Sequence, residues 1–399
     1  MIDKTYMLFS RIPLTINEKG EIFGGKLWVK DLRLHLDYIS NFNICCPIVS
    51  SNKVDDLELV DFLKIDRIYK LELDRGLRSV LSNFFPNFLS VFKAVRVACI
   101  VHSGGAGWVF PLSFYILPLK LFLKFKWVIV IESSFWMLGS WEKKTARRLV
   151  EHYSHKILLG LCLRLADARI FTQTYYRDYF FKKSPKDGVM INPACWVDDD
   201  LTIPLSVLEN KHNTNTYANA IKIIFPSRMV ESKGVFNLLD AVSMIDIEKN
   251  KIHLTIMGDG PLSRHCSDFV DSYAGGIDLD FRHPVDYGRE FYDLIREYDY
   301  LLVPIISDEQ PRVIFDAFSQ GVPVIGSDAS GVLDVVDENN SLIFRKNDPR
   351  DLVRVLLFAL ENPKLKSVMG LAALESVKNK THAGMHRDRE YFIKRTLNV

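Results

Sequence analysis

Two cations and a glycine at the end of an apolar run are the first residues in this 399-residue chain whose types and spacing suggest chemistry. In FPSRMVESKGVFNLLDAV, Arg228 and Lys233 follow the strand-like IKIIFPS, and Gly234 opens a helical pattern. Cations beside the exposed N–H groups and positive dipole end of a helix make an anion site. Arg supplies a forked contact and Lys a point charge, a combination suited to a diphosphate. Charge alone fits two solvated surface cations equally well. Gly258-Asp259-Gly260-Pro261, after LTIM, would let backbone approach a ligand closely, and a plain turn explains it as well. After YLLVPIIS come Asp308 and, with seven residues between them, Asp316 inside a helical pattern. Carboxylates accept hydrogen bonds from hydroxyl pairs. For Asp316 the alternative is a first-turn acid favoured by the helix dipole. Two further candidates follow strand-like runs earlier in the chain: His102 in IVHSGG and Glu132 in IESSFW. A lone histidine after a strand is more often structural than catalytic.

These residues need strands that end beside one another, and the sequence supplies them. From Ile221 onward, short apolar runs (IKIIFPS, IHLTIMG, IDLDFR, YLLVPII, PVIGS) alternate with helical patterns. That alternation predicts βαβ units and a doubly wound parallel sheet. The first half repeats the logic, with strands expected at TYMLFSR, NICCPIV, RIYKLEL, RVACIVHS, WVIVIES and ARIFTQ. The polar, Asn/Thr-rich stretch 206–220 reads as a linker. The expected organisation is an N-terminal Rossmann-like domain over 1–205, the linker, and a second Rossmann-like domain over 221–375. Ligands of such sheets bind outside the strand carboxyl ends, so two of these domains would face each other across a cleft.

Composition fits a folded, two-domain chain. Apolar residues make up 48% and charged residues 25%, enough apolar surface to exclude a dominantly disordered chain. Six cysteines without CxxC spacing point to a reduced, cytoplasmic protein rather than a disulfide scaffold. The N-terminus has neither the apolar core nor the cleavage site of a signal peptide. The net charge of +2 is split: residues 1–200 carry 28 Lys and Arg against 21 Asp and Glu, and the remainder is acidic. A basic half suits an anionic partner, although a solvated basic face is an equal alternative. The apolar region 109–131 contains Lys120, Lys124 and Lys126, too costly for a membrane span. It reads instead as a helix, Lys120 and Lys124 on one face beside Tyr115, Leu119 and Phe122, followed by the strand KWVIVI. Such a helix can lie on an anionic membrane surface or simply pack on its sheet.

Together, the C-terminal motifs resemble those of the large bacterial family of retaining, GT-B glycosyltransferases, the "glycosyl transferases group 1". That family carries G-R-L and, a few residues on, K-G, here Ser227-Arg228-Met229 and, after three residues, Lys233-Gly234, and G-x-G-P, here Gly258, Gly260 and Pro261. It carries E-x7-E followed by A-x3-G-x-P-V, here Asp308 and Asp316 followed by Ala317, Gly321, Pro323 and Val324. A G-x-x-E-x-V/I loop follows, here Gly331 to Val336 with Asp334 in the acidic position. All three family glutamates are aspartates here, which keeps the carboxylate and shortens its reach.

The resemblance implies a GT-B fold and transfer of a sugar from a nucleotide-diphosphate donor, UDP or GDP type, with retained configuration. It places Arg228 and Lys233 at the diphosphate, Asp316 at the ribose and Asp308 at the donor sugar. It places Val285, in FRHPV, at the base, and Gly258, Arg312 and Val313 elsewhere around the donor. Gly24 and Gly25, in FGGK, resemble a loop near the donor phosphates. Glu132, where the family often has histidine, and His102 would line the acceptor side. The expected acceptor is a saccharide, free or lipid-linked, the latter at the inner face of the plasma membrane, in surface polysaccharide synthesis. No metal, other cofactor or nucleic acid is expected, and a C-terminal helix over 376–399 would return to the N-terminal domain. The Glu-to-Asp changes and the missing histidine leave an alternative: a catalytically inactive nucleotide-sugar-binding subunit.

Overall fold

The computed structural model describes residues 1–60, 64–105, 110–139, 142–181, 187–215, 220–248 and 251–399. The chain divides into two compact units, one of Met1–Asn192 with His386–Val399 and one of Pro193–Met385.

The N-terminal unit opens with β1 (Tyr6–Phe9), β2 (Leu14–Ile16), β3 (Ile22–Gly25), α1 (Lys26–Leu36), β4 (Phe42–Ser50), β5 (Leu57–Leu59) and β6 (Arg67–Leu71). It continues through α2 (Leu77–Val97), β7 (Ile100–Gly104), α3 (Leu112–Lys120), β8 (Lys126–Ile131), α4 (Ala146–Leu165), β9 (Ala168–Phe171), α5 (Thr174–Phe180) and β10 (Val189–Ile191). Its ten strands run in the order β10-β9-β8-β7-β1-β4-β2-β3-β5, with β6 also on β4. The strands from β10 to β4 pair in parallel, while β3 pairs antiparallel with β2 and β5. Fully apolar runs such as WVIVI in β8 are what a sheet covered on both faces requires. One face packs under α2, α3 and α4, with Val91, Trp127, Leu159 and Leu163 buried. The other packs under α1 and the C-terminal helix, with Val29, Leu32 and Ile393 buried.

The C-terminal unit contains α6 (Leu205–Asn215), β11 (Ile221–Pro226), α7 (Val235–Met244), β12 (Ile252–Met257), α8 (Ser263–Ser272), β13 (Asp278–Arg282) and α9 (Arg289–Arg296). Then come β14 (Tyr300–Val303), α10 (Val313–Ser319), β15 (Val324–Ser327), α11 (Ser330–Leu333), β16 (Ser341–Phe344), α12 (Pro349–Glu361) and α13 (Leu365–Ser376). The last helix, α14 (His382–Leu397), begins in this unit and ends in the other. Six parallel strands take the order β13-β12-β11-β14-β15-β16. The order reverses between β11 and β14, and that switch point is where open α/β sheets bind ligands. Local signals start the helices: Asp348 accepts from the Asp351 amide at 3.1 Å and Pro349 sits in the first turn of α12.

Two expectations are corrected. The stretch 206–220 is not a linker: its first part lies in α6, where Leu208 is fully buried and contacts Gly321, and Lys211 donates to the Tyr298 carbonyl at 2.6 Å. Its residues 216–219 lie outside the described ones. The unit boundary falls instead at Asn192–Pro193. Nor is 115–126 a surface helix. It ends at Lys120, leaving Lys124 beyond it, and Tyr115 and Leu119 are buried. Lys120 turns to Asp167 at 2.7 Å and the Phe125 carbonyl at 2.6 Å. A helix between two others on a sheet has too little exposed surface to be amphipathic. Among the described residues, no helix is long and apolar enough to cross a membrane.

Candidate functional site

At the switch point of the six-stranded sheet, β11 ends in Pro226 and β14 in Val303, and the candidate residues sit in the loops that follow. Gly234 holds this corner. Its φ of 78° is left-handed, and a Cβ there would fall on the Pro304 carbonyl. The backbones of the two loops thus touch, which brings Lys233 to the loop after β14. Gly234 also caps α7 without any side-chain hydrogen bond, so among the described residues no capping side chain meets the first N–H groups of the helix.

The cations have unequal surroundings. Lys233 Nζ lies 2.7 Å from Glu309 Oε1. Arg228 is exposed and makes no ion pair among the described residues. Burial by itself would raise the Glu309 carboxyl, but Lys233, the Ser307 hydroxyl and Arg228 outweigh it and hold the acid below its usual range. The site therefore contains two positive charges, one partly answered by a resident carboxylate. Glu309 was not singled out in the sequence, although the Asp-Glu pair at a strand end was the available signal.

Asp308 is directed elsewhere. Its Oδ1 accepts from Lys346 Nζ at 3.0 Å and from the Ser330 amide at the start of α11 at 3.1 Å. Asp316, 4% exposed, accepts at Oδ1 from Tyr287 at 2.9 Å and Tyr292 at 2.8 Å. Both phenols are pushed well above their usual range, by burial first and the Asp316 charge second. Tyr287 and Tyr292 flank Gly288 at the start of α9, and nothing in their spacing marked them as partners of a distant acid. Gly258 lies where a Cβ would meet the Ser227 carbonyl, and Met229 N donates to Asp259 O at 2.9 Å, so GDGP packs directly on the Arg228 loop. Val285 follows β13 in an irregular segment and packs on the core, so FRHPV is strand only in its first two residues. Arg312 precedes α10 with its guanidinium 5.0 Å over the Trp196 ring, and Val313 begins that helix.

The candidates of the N-terminal unit do not form one cluster. Gly24 and Gly25 end β3, and Gly25 caps α1, so FGGK closes a strand of the antiparallel extension rather than forming a free loop. Glu132 directly follows β8 and is bound at 3.1 Å by Arg389 Nη2 of α14, whose Nε also donates to Asn192 at 2.8 Å. The sequence offered no sign of Arg389. His102 is corrected: it lies inside β7, not after it, is buried, and shares a 2.8 Å hydrogen bond with Tyr6. Burial, then His35 and Arg389, drives its pKa well below the usual value. His102 is thus a buried ring within the sheet rather than a residue of the loop that follows it. Near it, Asp31, His35 and His386 bring one ligand atom each within 4.8 Å of one another, an arrangement able to hold a metal ion. In the structure His386 Nε2 lies 3.0 Å from Asp31 Oδ1.

The comparisons with known proteins follow this geometry. Residues 207–375 match the family described as "Glycosyl transferases group 1". An uncharacterized glycosyltransferase of Methanocaldococcus jannaschii, MJ1178, is 26% identical over 223 residues, 53% of this chain and 60% of that relative. The chain thus spans less than two thirds of that relative's length. Among solved structures, sucrose-phosphate synthase from Thermosynechococcus elongatus superposes with a TM-score of 0.69 at 17% identity, covering 98% of this chain and 99% of that one. Anabaena HepE, solved in complex with UDP-glucose, gives 0.64 at 12%, covering 99% and 100%. Residues 207–375, most of the C-terminal unit, thus match the glycosyl transferases group 1 family, in a chain with the GT-B fold.

Proposed function

We propose that this chain transfers a glycosyl group from a nucleoside-diphosphate sugar to a hydroxyl of a saccharide acceptor, with retention of configuration. The observation that carries the reading is the pairing of Arg228 and Lys233 with the uncapped start of α7 at the switch point of a parallel sheet. In the reaction the acceptor oxygen bonds to the sugar C1. The C1–O bond to the diphosphate breaks, and its electron pair leaves on the phosphate oxygen. The acceptor proton is released with it. Arg228, Lys233 and the first amides of α7 stand where that charge develops, so they stabilise the departing diphosphate without a metal ion or further cofactor. The complex of HepE with UDP-glucose supports a UDP-type donor.

Asp316 positions the donor through Tyr287, which is part-exposed and carries the hydrogen bonding of a buried acid outward. Asp308 orders the α11 start, Val285 and Gly258 offer backbone, and Arg312 and Val313 complete the donor side. The N-terminal unit, with Glu132 held by Arg389 and with Gly24 and Gly25, takes the acceptor. A lipid-linked saccharide of surface polysaccharide assembly suits the basic excess of that half. The engagement of Lys233 by Glu309 and of Asp316 by two tyrosines also favours a second reading, a nucleotide-sugar-binding subunit without catalysis.

A thermal-shift screen of nucleoside diphosphates and their sugars, repeated with Arg228→Ala, tests the site. Binding stabilises the fold in proportion to the logarithm of ligand over Kd. The expected outcome is a shift with one nucleotide series that the variant loses. No shift with any nucleotide overturns the reading. A shift without glycosyl transfer to a panel of saccharides selects the non-catalytic reading.

A further inference from the structure

The helix layer of the N-terminal unit inverts ordinary amphipathicity. α2 and α4 both pack against α3 and bury one face in the same core. Their solvent faces should be polar. Instead α4 exposes Val150, Tyr153, Ile157, Leu161 and Leu165, at spacings of three and four residues that form one stripe along the helix. α2 does the same with Leu77, Leu81, Phe85 and Leu89, of which Phe85 is 74% exposed. The turn after α3 adds Leu121 and Phe122, the latter 83% exposed. Single exposed apolar residues are unremarkable, but stripes on both helices that flank α3, with Leu121 and Phe122 exposed in the turn after it, mark an interaction surface.

The charges select the partner. α2 and α4 together contain seven Lys and Arg and one acid, Glu151. That acid is paired with Arg148 at 2.8 Å and so offers nothing to an incoming cation. Lys143, Lys144 and Arg147 stand exposed at the start of α4, Lys156 and Arg164 along it, and Lys124 in the turn after α3. A groove of about 410 Å³ runs beside the stripe, walled by Tyr153, Ile157, Tyr179 and Phe180 and bordered by Lys156 and Arg164. Apolar stripes with basic borders and no free acid are what lets a surface sit in the headgroup region of an anionic bilayer.

We propose that the α2–α4 layer is a membrane-docking surface for anionic phospholipid, with Phe85, Phe122, Ile157 and Leu161 entering the acyl boundary and the flanking cations meeting lipid phosphates. This assigns the role to helices other than the one expected from the sequence. It stands on the N-terminal unit alone and does not rest on glycosyl transfer.

The test is co-sedimentation of the full chain with vesicles of phosphatidylcholine alone and of phosphatidylcholine with phosphatidylglycerol. Binding is expected to the anionic vesicles and to fall steeply with salt. Ile157→Glu with Leu161→Glu should reduce it by about tenfold or more. Lys143→Glu with Lys144→Glu, both exposed, should reduce it by about fivefold per charge removed. Val368→Glu, an equally exposed apolar site on the other unit, should leave it unchanged. Circular dichroism checks that each variant is folded, and the Lys143/Lys144 pair decides the matter if the apolar pair is not. Equal binding to both vesicle types, no binding to either, or a vesicle-independent dimer that Ile157→Glu dissociates in sedimentation velocity would each overturn the proposal.

Discussion

The two units solve the same topological problem and use their polar residues in opposite ways. In the C-terminal unit, charge collects at the strand ends: Arg228, Lys233, Asp308 and Glu309 all lie in loops after β11 and β14. In the N-terminal unit, the titratable groups of interest are inside. His102 lies in mid-sheet, and Asp31, His35 and His386 are buried between α1 and α14. Water access separates the two outcomes. A charge at a strand end keeps part of its hydration and remains available to a ligand, whereas a buried imidazole stays neutral and serves packing. Position along the strand, more than residue type, distinguishes a ligand site from a core network.

The largest effect that could break this contrast is expected at Gly234. Gly234→Ala forces a Cβ onto the Pro304 carbonyl in a left-handed conformation, and should cost about 3 kcal/mol or more. For a unit of this size that lowers Tm by roughly 10 °C. If calorimetry shows an unchanged Tm, the two loops are not held by that close contact.

The next is a pH effect confined to the N-terminal unit. His386 is lowered to about 3, by burial first and against the pull of Asp31, and His102 is also lowered. Below the ordinary histidine value of about 6.5 the unfolded chain takes up protons that the folded one refuses. Stability is therefore full above that value and is lost as pH falls from about 6.5 toward 3. His386 should contribute about 1.4 kcal/mol per pH unit within that window, and His102 adds in the same direction. Urea unfolding at several pH values checks it, and His102→Gln with His386→Gln should flatten the dependence. An unchanged slope would mean that both rings are protonated in the fold.

The smallest sharpens the donor side. Glu309 pairs with Lys233, so under the proposed function a diphosphate would compete with it for the lysine. Glu309→Gln should strengthen binding of free nucleoside diphosphate by about fivefold, read by titration calorimetry. Weaker binding would instead show that Glu309 aims the lysine.

The βαβ alternation after Ile221 was legible because each strand is a short apolar run with its own turn signals, and the local pattern equals the fold there. Arg228, Lys233 and Gly258 were legible for the same reason, being adjacent to the strands that place them. The partners were not. Glu309 on Lys233, Lys346 on Asp308, the tyrosines on Asp316 and Arg389 on Glu132 all meet across long sequence separations. The polar composition of 206–220 suggested a linker because the burial of Leu208 depends on a surface contributed by Gly321 and α13. Likewise the basic helix expected near Lys120 became a core helix because α2 and α4 cover it.

By itself, the sequence determined the parallel sheet after Ile221, its strand ends and the kind of charge that stands at them, since all three depend on periodicity and neighbours within a few residues. Only the tertiary structure decided which carboxylate answers which cation, that His102 is sealed from solvent, and that the apolar stripes of α2 and α4 remain exposed. Those outcomes depend on burial, and burial is set by segments far apart in the chain.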